Sequence, residues 1–347
     1  MAEIAILPLT AFSRFSGLFQ GPHSAEGSWG WFQSLAETTL GCGEEAVLAV
    51  AIESGTAKAA LPLARSGSLL RGLTAPYTTL YVPAFPDLRW AHYLGAGAQS
   101  FVEGSLQLDA LDPADPGTAA FLDGLLSSGL VAAQYRNFVN FYERIANFDD
   151  YWNARPSRLR STVRRKLSQA GAGQADFRCY RSGLDEAVDV YEEVYRASWK
   201  PSEPHPSFIR TMVEKLGQYG FVRIGIMSLR GDPVAVQIWL VCAGKATIFK
   251  LAHREGMKGL SPGTLLTHWM ISTLIRNEGL KEIDFGRGSD AYKRDWLAET
   301  RTRSGVVAGN WKTVAGLRVI AAEVLPTWVS AIALKTRSKA SSSSDVS

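Results

Sequence analysis

The chain has 347 residues, of which 46% are hydrophobic and 20% are charged. This length accommodates two domains of ordinary size with a sizeable core, and the proportions are those of a soluble globular protein. The net charge of +4, from 37 basic and 33 acidic residues, does not by itself indicate a nucleic-acid-binding protein.

The cysteines and the apolar runs argue against three further classes of protein. Cys42, Cys179 and Cys242 are isolated, without zinc-ligand spacing or the density of a disulfide framework. We therefore expect no metal site and a reducing, cytoplasmic location. The short apolar run at the N-terminus follows no basic region, so a secretory signal is not expected. No apolar stretch approaches the roughly 20 residues of a membrane-spanning helix.

Residues 1–150 are predicted to form a first unit of mixed α and β structure. The links Glu53-Ser54-Gly55 and Arg65-Ser66-Gly67 have turn chemistry, so the apolar runs that they separate indicate an antiparallel meander. The predicted elements are a strand at 4–7, a helix around 29–36, strands at 46–52, 57–63 and 69–73, a helix at 88–94, a strand at 105–108 and a helix at 116–126.

Residues 151–173 are predicted to form a basic connecting helix. Leu159, Val163 and Leu167 make an apolar stripe at helical spacing, and six basic residues lie between Arg155 and Lys166. The charges form either a solvated helix face or a clamp for an anionic substrate or cofactor phosphates.

A second unit, at residues 174–305, repeats the coarse order of the first without any residue-level repeat. Glycine and proline again separate its periodic segments. The predicted elements are a strand at 177–180, a helix at 185–197, a proline-rich loop at 198–206, a helix at 207–216, strands at 221–229, 234–242 and 246–252, a helix at 264–276 and a strand at 283–285.

The C-terminal region is predicted to contain a basic turn at 301–303, a helical extension at 306–337 and a disordered, serine-rich tail at 338–347. Leu325, Trp328, Val329 and Ile332 form an apolar stripe in the extension. The stripe either docks on the domain or lies on a membrane surface.

The strand, loop, helix and strand between residues 245 and 296 form a crossover with a predicted anion site. The free N–H groups at the start of the helix and the positive end of its dipole favour a phosphate. Gly263 permits close approach of a ligand, and a phosphate-bearing cofactor is the expected occupant.

Six stretches together resemble the GNAT superfamily of acyltransferases, in its BioF2-like or CelD-like branch, which is related to the FemAB aminoacyltransferases. They are RPSRLRSTVRRK (155–166), YRASWKPSEPHPSFI (195–209), GDPVAVQIW (231–239), IFKLAHRE (248–255), LSPGTLL (260–266) and IDFGRGSDAYKRDW (283–296). The resemblance covers roughly residues 20–305. It implies a mixed α/β fold with two tandem GNAT-like units joined by the basic helix, and transfer of an acyl group from acyl-CoA to an amine.

The resemblance also implies where the donor binds. Lys250, Leu251 and Ala252 would hold the acyl carbonyl through their backbone groups. Lys258, Ser261, Gly263 and Thr264 would hold the pyrophosphate. The turn departs from the general GNAT pattern Q/R-x-x-G-x-G/A, because Lys258 to Gly263 reads KGLSPG and offers fewer glycine amides. An aminoacyl-tRNA donor, as in the FemAB relatives, therefore stays open.

Four side chains are candidates for proton transfer. Tyr292 is the predicted acid for the leaving thiolate, and Asp284, Glu203 and His205 are alternative bases. Asp284 either caps a turn or faces the site. His205, between two prolines, is either displayed to the substrate or packed in its loop.

Six further side chains are candidates for substrate binding. Gln237 and Trp239 share one strand face, where the glutamine makes either an internal hydrogen bond or a substrate contact. Trp199 either stacks on a sugar or adenine ring or packs in the core. Arg287, Asp290 and Lys293 form either a wall of the acceptor site or a salt-bridged loop.

The expected acceptor is a sugar, a sugar nucleotide or another precursor of the bacterial cell envelope or exopolysaccharide. The alternatives are aminoacyl transfer to a peptidoglycan precursor and a non-catalytic role in a polysaccharide biosynthesis complex. Nucleic acid is not an expected partner, whereas peripheral membrane contact is compatible with the sequence. The sequence leaves open the oligomeric state and whether the first unit binds a ligand.

Overall fold

The computed structural model describes residues 2–10, 16–19 and 23–330, and it confirms the predicted mixed α/β class. Strands and helices alternate along most of the described chain. The strands are β1 (Ala2–Pro8), β2 (Glu45–Glu53), β3 (Thr56–Ser66), β4 (Leu69–Gly72), β5 (Ser105–Leu111), β6 (Val131–Arg144), β7 (Ala175–Tyr180), β8 (Val222–Leu229), β9 (Asp232–Cys242), β10 (Lys245–His253), β11 (Glu282–Arg287) and β12 (Glu299–Gly309).

Up to β11 the helices agree with the predicted ones, except that the predicted connecting helix is interrupted at residues 154–156 and consists of two helices. The helices are α1 (Trp29–Thr38), α2 (Leu88–Ala96), α3 (Pro116–Ser127), α4 (Phe148–Asn153), α5 (Ser157–Ala172), α6 (Leu184–Arg196), α7 (Pro206–Gly217), α8 (Pro262–Glu278), α9 (Lys293–Trp296) and α10 (Val314–Val319). A 3-10 segment (Glu255–Leu260) precedes α8, and a π-helical segment (Ile320–Val324) follows α10.

The described residues fall into two compact units whose segments are not contiguous in sequence. The first unit takes its residues from 1–20, 40–138 and 302–347, and the second from 21–39 and 139–301. This division differs from the expected boundaries at 150 and 174, because α1 belongs to the second unit and because β6 and β12 each contribute residues to both units. The helix predicted around 29–36 is present as α1 but belongs to the second unit.

The first unit contains strands in the order β1-β2-β3-β4-β5-β12. The predicted meander is confirmed, since β1 to β4 pair antiparallel in sequence. The strand β5 then pairs parallel with β4 and antiparallel with β12. Parallel pairing requires a crossover, which α2 supplies.

Two glycines bring α2 and α3 into close contact in the first unit. A Cβ at Gly95 would lie 2.2 Å from the carbonyl oxygen of Phe121, and one at Gly124 would lie 2.2 Å from that of His92. Any larger residue would push the backbones apart, so these glycines set the helix spacing.

The second unit contains strands in the order β6-β11-β10-β9-β8-β7, counting only residues 139–144 of β6. Antiparallel pairs join β8, β9 and β10, as predicted, and β7 also pairs antiparallel with β8. The parallel pair β10 and β11 is spanned by α8, which confirms the predicted crossover. Because side chains alternate between faces, Gln237 and Trp239 point toward α8, whereas Ile238 points toward α6 and α7.

Two strands were not predicted from the sequence. The strand β6 has 14 residues and only scattered apolar positions, so no period of two is visible in it. The predicted turn at 301–303 and helix from 306 are wrong at this point, since β12 extends from Glu299 to Gly309. Its basic residues lie within the strand, and the buried side chain of Arg303 pairs with Asp112.

The predicted helical extension is present only after β12. Helical residues run from Val314 to residue 330, and the predicted Ile332 and tail lie outside the described residues. Val324 is fully buried, whereas Leu325, Trp328 and Val329 are each more than 40% exposed. Within the described residues, no helix combines the length and apolarity needed to cross a bilayer.

Candidate active site

The strand β10 leaves its parallel neighbour part of the way along its length. Pairing with β11 covers only Lys245 to Thr247, whereas pairing with β9 continues to His253. Residues 248–253 therefore border a wedge between β10 and β11. In such a wedge the two strand edges no longer form a continuous ladder, so a ligand can approach the backbone between them.

A β-bulge at the mouth of the wedge changes the direction of the side chains on β10. The register shifts between Ile248 and Lys250, so that Phe249 is the extra residue. Phe249 contacts Trp31 and Phe208, and Lys250 turns to the same α6 and α7 side. Leu251, the next residue, faces α8.

The start of α8 lies against β10, but several of its predicted phosphate donors already have partners. The N–H of Ser261 donates to the carbonyl of Lys258 at 3.0 Å, and the N–H of Thr264 donates to the carbonyl of Ser261 at 3.0 Å. Lys258 pairs with Glu255 at 3.1 Å on the exposed surface. The remaining amide of this predicted set is that of Gly263, in the first helical turn, where amides lack intrahelical acceptors.

Gly263 is buried beside β10. A Cβ at this position would lie 3.4 Å from both Leu251 and His253, which is ordinary van der Waals contact. A small side chain would therefore fit, whereas a large one would occupy the space between the helix and the strand.

Gln237 and Trp239 make internal hydrogen bonds. Both are completely buried, and the Trp239 indole donates to the Gln237 side chain at 2.8 Å. Gln237 then donates to Thr267 at 2.6 Å and to the Gly263 carbonyl at 3.3 Å. These bonds tie β9 to the first turns of α8, so the pair positions the helix instead of facing a substrate.

Asp284 lies at the centre of a buried network. It accepts hydrogen bonds from Asn140 at 2.7 Å and from the Gly286 amide at 2.6 Å, and it pairs with Arg301 and with Lys245, the latter at 3.2 Å. Burial alone would raise the pKa of this carboxyl, but the two cations and the two hydrogen bonds lower it well below its usual range. A carboxylate so stabilised is a poor proton acceptor, and its role is structural.

The segment after β11 is held by Lys293. This buried ammonium donates to the Arg287 carbonyl at 2.7 Å and pairs with Asp290 at 3.5 Å, so the predicted salt-bridged loop is present. Arg287 and Asp290 themselves are exposed. Tyr292 is 49% exposed, and the burial of its hydroxyl, together with the Asp290 charge, raises its pKa to about 12. It therefore carries its proton at neutral pH.

A cavity of about 520 Å³ lies between α6, α7 and the proline-rich loop that joins them. Polar and aromatic side chains share its wall. The lining residues are Tyr191, Glu192, Tyr195, Arg196, Lys200, Ser202, Glu203, Pro206, Ser207, Ile209, Arg210 and Thr211.

Glu203 connects this cavity to β10. Its two carboxylate oxygens lie 2.7 and 2.9 Å from the Lys250 ammonium, and Tyr191 donates to it at 3.1 Å. Since Lys250 is the residue that follows the bulge, the cavity and the strand that borders the wedge share an ion pair.

The loop places Trp199 and His205 differently. Trp199 is 46% exposed, and its ring centroid lies 4.3 Å from that of His253 on β10. Its outer surface is thus accessible for stacking. His205 precedes the first residue of α7, and its carbonyl accepts from Phe208, which is a contact that starts the helix.

A second cleft, of about 580 Å³, lies between α5 and α8. Arg160 and Arg164 line it, together with Trp152 and His268. Burial and the nearby Arg276 charge lower the pKa of His268 to about 4, so it is neutral at pH 7. Lys166 of the same helix donates to the Gly259 carbonyl beside α8 at 2.6 Å. The two arginines therefore border a cleft, and whether α5 is a solvated face or a clamp for an anion stays a prediction.

The strand order and the crossover of the second unit can be compared with those of a known class of domain. An antiparallel meander followed by a helix that starts beside a splayed parallel strand pair is the arrangement expected of a GNAT-type acyltransferase domain. Residues 157–294 match the family model described as acetyltransferase (GNAT) domain. The matched segment extends from α5 into α9 and lies within the second unit. Curated proteins include no significant match to the chain.

Solved structures with a similar fold extend beyond the matched domain. FemX has a TM-score of 0.58 at 11% identity, covering 88% of this chain and 96% of its own. The C-terminal domain of a putative lysylphosphatidylglycerol synthetase from Agrobacterium fabrum has a TM-score of 0.57 at 12% identity, covering 90% and 96%. L-PGS from Bacillus licheniformis has a TM-score of 0.54 at 12% sequence identity, and the alignment covers 90% of this chain and 94% of L-PGS. These similarities show a shared fold.

Lys200 and Tyr195 were not among the predicted site residues. Burial, then the Lys250 charge, lowers the pKa of Lys200 to about 8, although Glu203 opposes the shift. Burial, then Glu203, raises the pKa of Tyr195 to about 12. The only sequence signal for either residue was its place in an aromatic and basic segment before the proline-rich loop.

Metal ligands are not grouped in the described part of the chain. The residues 2–10, 16–19 and 23–330 contain no cluster of three or more His, Cys, Asp or Glu side chains that would hold a metal ion.

Proposed function

We propose that the second unit transfers an acyl group from acyl-CoA to an amine. The observation that carries this proposal is the wedge where β10 separates from β11 beside the start of α8. A thioester lying in the wedge would meet the backbone of Lys250, Leu251 and Ala252, and N–H groups aimed at its carbonyl oxygen would stabilise the developing oxyanion.

The reaction needs one proton acceptor and one proton donor. The amine attacks the thioester carbonyl, a C–N bond forms, the C–S bond breaks, and the CoA thiolate leaves. We assign the base to Glu203, acting through water, because this carboxylate lines the cavity and pairs with Lys250 on the wedge strand. We assign the acid for the thiolate to Tyr292, which retains its proton at neutral pH.

The cavity between α6 and α7 is the proposed acceptor site. Its volume of about 520 Å³ is that of a small-molecule site, and the partly exposed Tyr195 gives it aromatic surface of the kind on which sugar rings pack. An amino sugar, a sugar nucleotide or a related precursor of the cell envelope or exopolysaccharide is therefore the proposed acceptor. A cytoplasmic location would give it access to such precursors and to acyl-CoA.

An aminoacyl-tRNA donor is the second candidate. The fold is shared with FemX and with a domain named as a lysylphosphatidylglycerol synthetase. The cleft beside α5 presents Arg160 and Arg164, which suit a polyanion better than a neutral ligand. This candidate predicts activity that needs charged tRNA.

Calorimetric titration separates the two donors and tests the proposed site. We expect acetyl-CoA or a longer acyl-CoA to bind the wild type and not the Gly263→Trp variant, in which the indole would fill the space beside Leu251 and His253. Gly171→Trp is the matched control, because nothing lies within 4 Å of a Cβ at that exposed position on α5.

Three results would count against the proposal. If no binding is detected at millimolar acyl-CoA, acyl-CoA is excluded as the donor. The remaining hypotheses are then an aminoacyl-tRNA donor and a non-catalytic role. Equal binding by both glycine variants would move the donor site elsewhere. Activity only with charged tRNA would select the second candidate.

A further inference from the structure

The cavity between α6 and α7 contains a lysine without a carboxylate partner. Within the described residues, the Lys200 ammonium makes no hydrogen bond or ion pair, and its contacts are the rings of Tyr195 and Trp199, each 5.9 Å away. Partial burial without a counterion is unfavourable for an ammonium group, so a site of this kind gains from binding an anion.

The other charges in the cavity leave the positive charge of Lys200 uncompensated. Arg210 pairs with Asp189 at 2.7 Å and with Glu192 at 2.9 Å. The carboxylate of Glu203 is held by Lys250 at 2.7 Å. Arg196 lies exposed on the same wall and adds a further positive charge.

The cavity thus contains both a carboxylate and an ammonium group that lacks a direct carboxylate partner among the described residues. Glu203 offers carboxylate oxygens on the side joined to β10, where the proposed transfer takes place. Lys200 lies near enough to the Glu203–Lys250 pair for both charges to affect its pKa, and Arg196 adds positive charge on the wall. A ligand with an amine and a separate anionic group would satisfy both, whereas a simple amine would leave Lys200 unpaired.

We infer that the acceptor carries an anionic group, a phosphate or a carboxylate, in addition to its reacting amine, and that Lys200 binds this group. The inference rests on the proposed function for the identity of the amine as acceptor. The binding of the anion itself does not require transfer. Lys200 is therefore a specificity-determining residue: it selects among amines by their second functional group.

The test uses three matched amino sugars in calorimetric titrations without any donor. Glucosamine has no anionic group, glucosamine 6-phosphate adds a phosphate, and muramic acid adds a carboxylate. We expect at least one anionic probe to bind ten times more tightly than glucosamine, the usual effect of one charge-assisted hydrogen bond. The preferred probe would identify the anion as phosphate or carboxylate.

Variants then assign the preference to Lys200. In Lys200→Met the preference should fall about tenfold, while Lys200→Arg should retain most of it because the charge remains. Lys281→Met is the control, since this exposed lysine lies outside the cavity. Equal binding of all three probes by the wild type, or a preference unchanged in Lys200→Met, would overturn the inference.

The pH dependence gives a second readout. Because the pKa of Lys200 is lowered to about 8, the anion preference should decline by about a factor of ten per pH unit above that value. The facing groups are Glu192, Tyr195, Arg196, Glu203, Arg210 and Lys250. Of these, Tyr195 titrates only near pH 12. A preference constant from pH 7 to pH 10 would contradict the assignment to Lys200.

Failure of the inference and failure of the proposed function have different signatures. The anion preference could depend on Lys200 while no acyl group is transferred from acyl-CoA to the preferred probe. This result would support the anion site and contradict the proposed acyl-CoA donor. If the acyl group is transferred to glucosamine at the same rate as to both anionic probes, the proposed function is supported and the inferred role of Lys200 is contradicted.

Discussion

Two carboxylates of the second unit, Asp284 and Glu203, were equal candidates for the catalytic base, yet their surroundings differ. Asp284 is enclosed by two cations and two hydrogen-bond donors, and only 1% of it is exposed. Glu203 also pairs with a lysine, but it borders a cavity large enough for a ligand. A carboxylate with all its acceptor positions filled stabilises the fold, whereas one beside open space can exchange protons with a substrate.

The largest expected effect is on stability, at Asp284. In Asp284→Ala, the partly buried Lys245 would lose its carboxylate partner and Arg301 would keep only Glu282 as a carboxylate partner, which should lower the free energy of unfolding by about 3 kcal/mol. Urea denaturation would measure the change. The control is Glu255→Ala, because Glu255 lies in an exposed ion pair that should contribute less than about 1 kcal/mol.

The same network predicts an acid dependence. The folded pKa of Asp284 is lowered, so its stabilisation is present above the unfolded value near 4 and is lost as the pH falls below it. The loss of stability between pH 5 and pH 3 should therefore be smaller in Asp284→Asn than in the wild type. Identical pH profiles would mean that other groups govern acid unfolding.

The next effect is on turnover, at Glu203. Loss of a general base typically costs a factor of about 100 to 10,000, so Glu203→Gln should lower kcat at least 100-fold. Donor affinity should stay near that of the wild type, as measured by calorimetry. A turnover within threefold of the wild type would exclude Glu203 as the general base. His205 would then be the remaining candidate.

The smallest of these effects is expected at Tyr292. Tyr292→Phe removes a hydroxyl that keeps its proton at neutral pH, and we expect kcat to fall about tenfold with unchanged donor affinity. Solvent can partly replace the acid because half of Tyr292 is exposed. If kcat is unchanged in single-turnover measurements, the thiolate leaves without this tyrosine.

The crossover and both meanders were predictable because their residues alternate regularly and glycine or proline marks their ends. By contrast, β6 has no regular alternation, and β12 contains charged residues such as Arg303 whose partners are distant in sequence. A local pattern cannot show that Arg303 is buried opposite Asp112, so this strand was interpreted as a turn.

The candidate site was only partly predictable for a similar reason. The sequence named Asp284 and Glu203, but it could not distinguish them, because Asn140 and Arg301 approach Asp284 from other strands. It also named Gln237 as either an internal or a substrate contact, and only the position of Thr267 resolves this. Lys200 was not predicted, because the sequence does not show which lysines lack a carboxylate partner in the folded protein.

The single extra residue in β10 determines which side chains of the strand face each of the two proposed ligands. Phe249 and Lys250 both face α6 and α7, where the acceptor would bind, while Leu251 faces α8, where the donor would bind. In a strand of strict alternation, Lys250 and the residues beyond it would each point to the opposite face. Straightening the bulge with Phe249 retained would bring the ammonium group to the donor side, whereas deleting Phe249 would leave Lys250 opposite Ile238 and on the acceptor side.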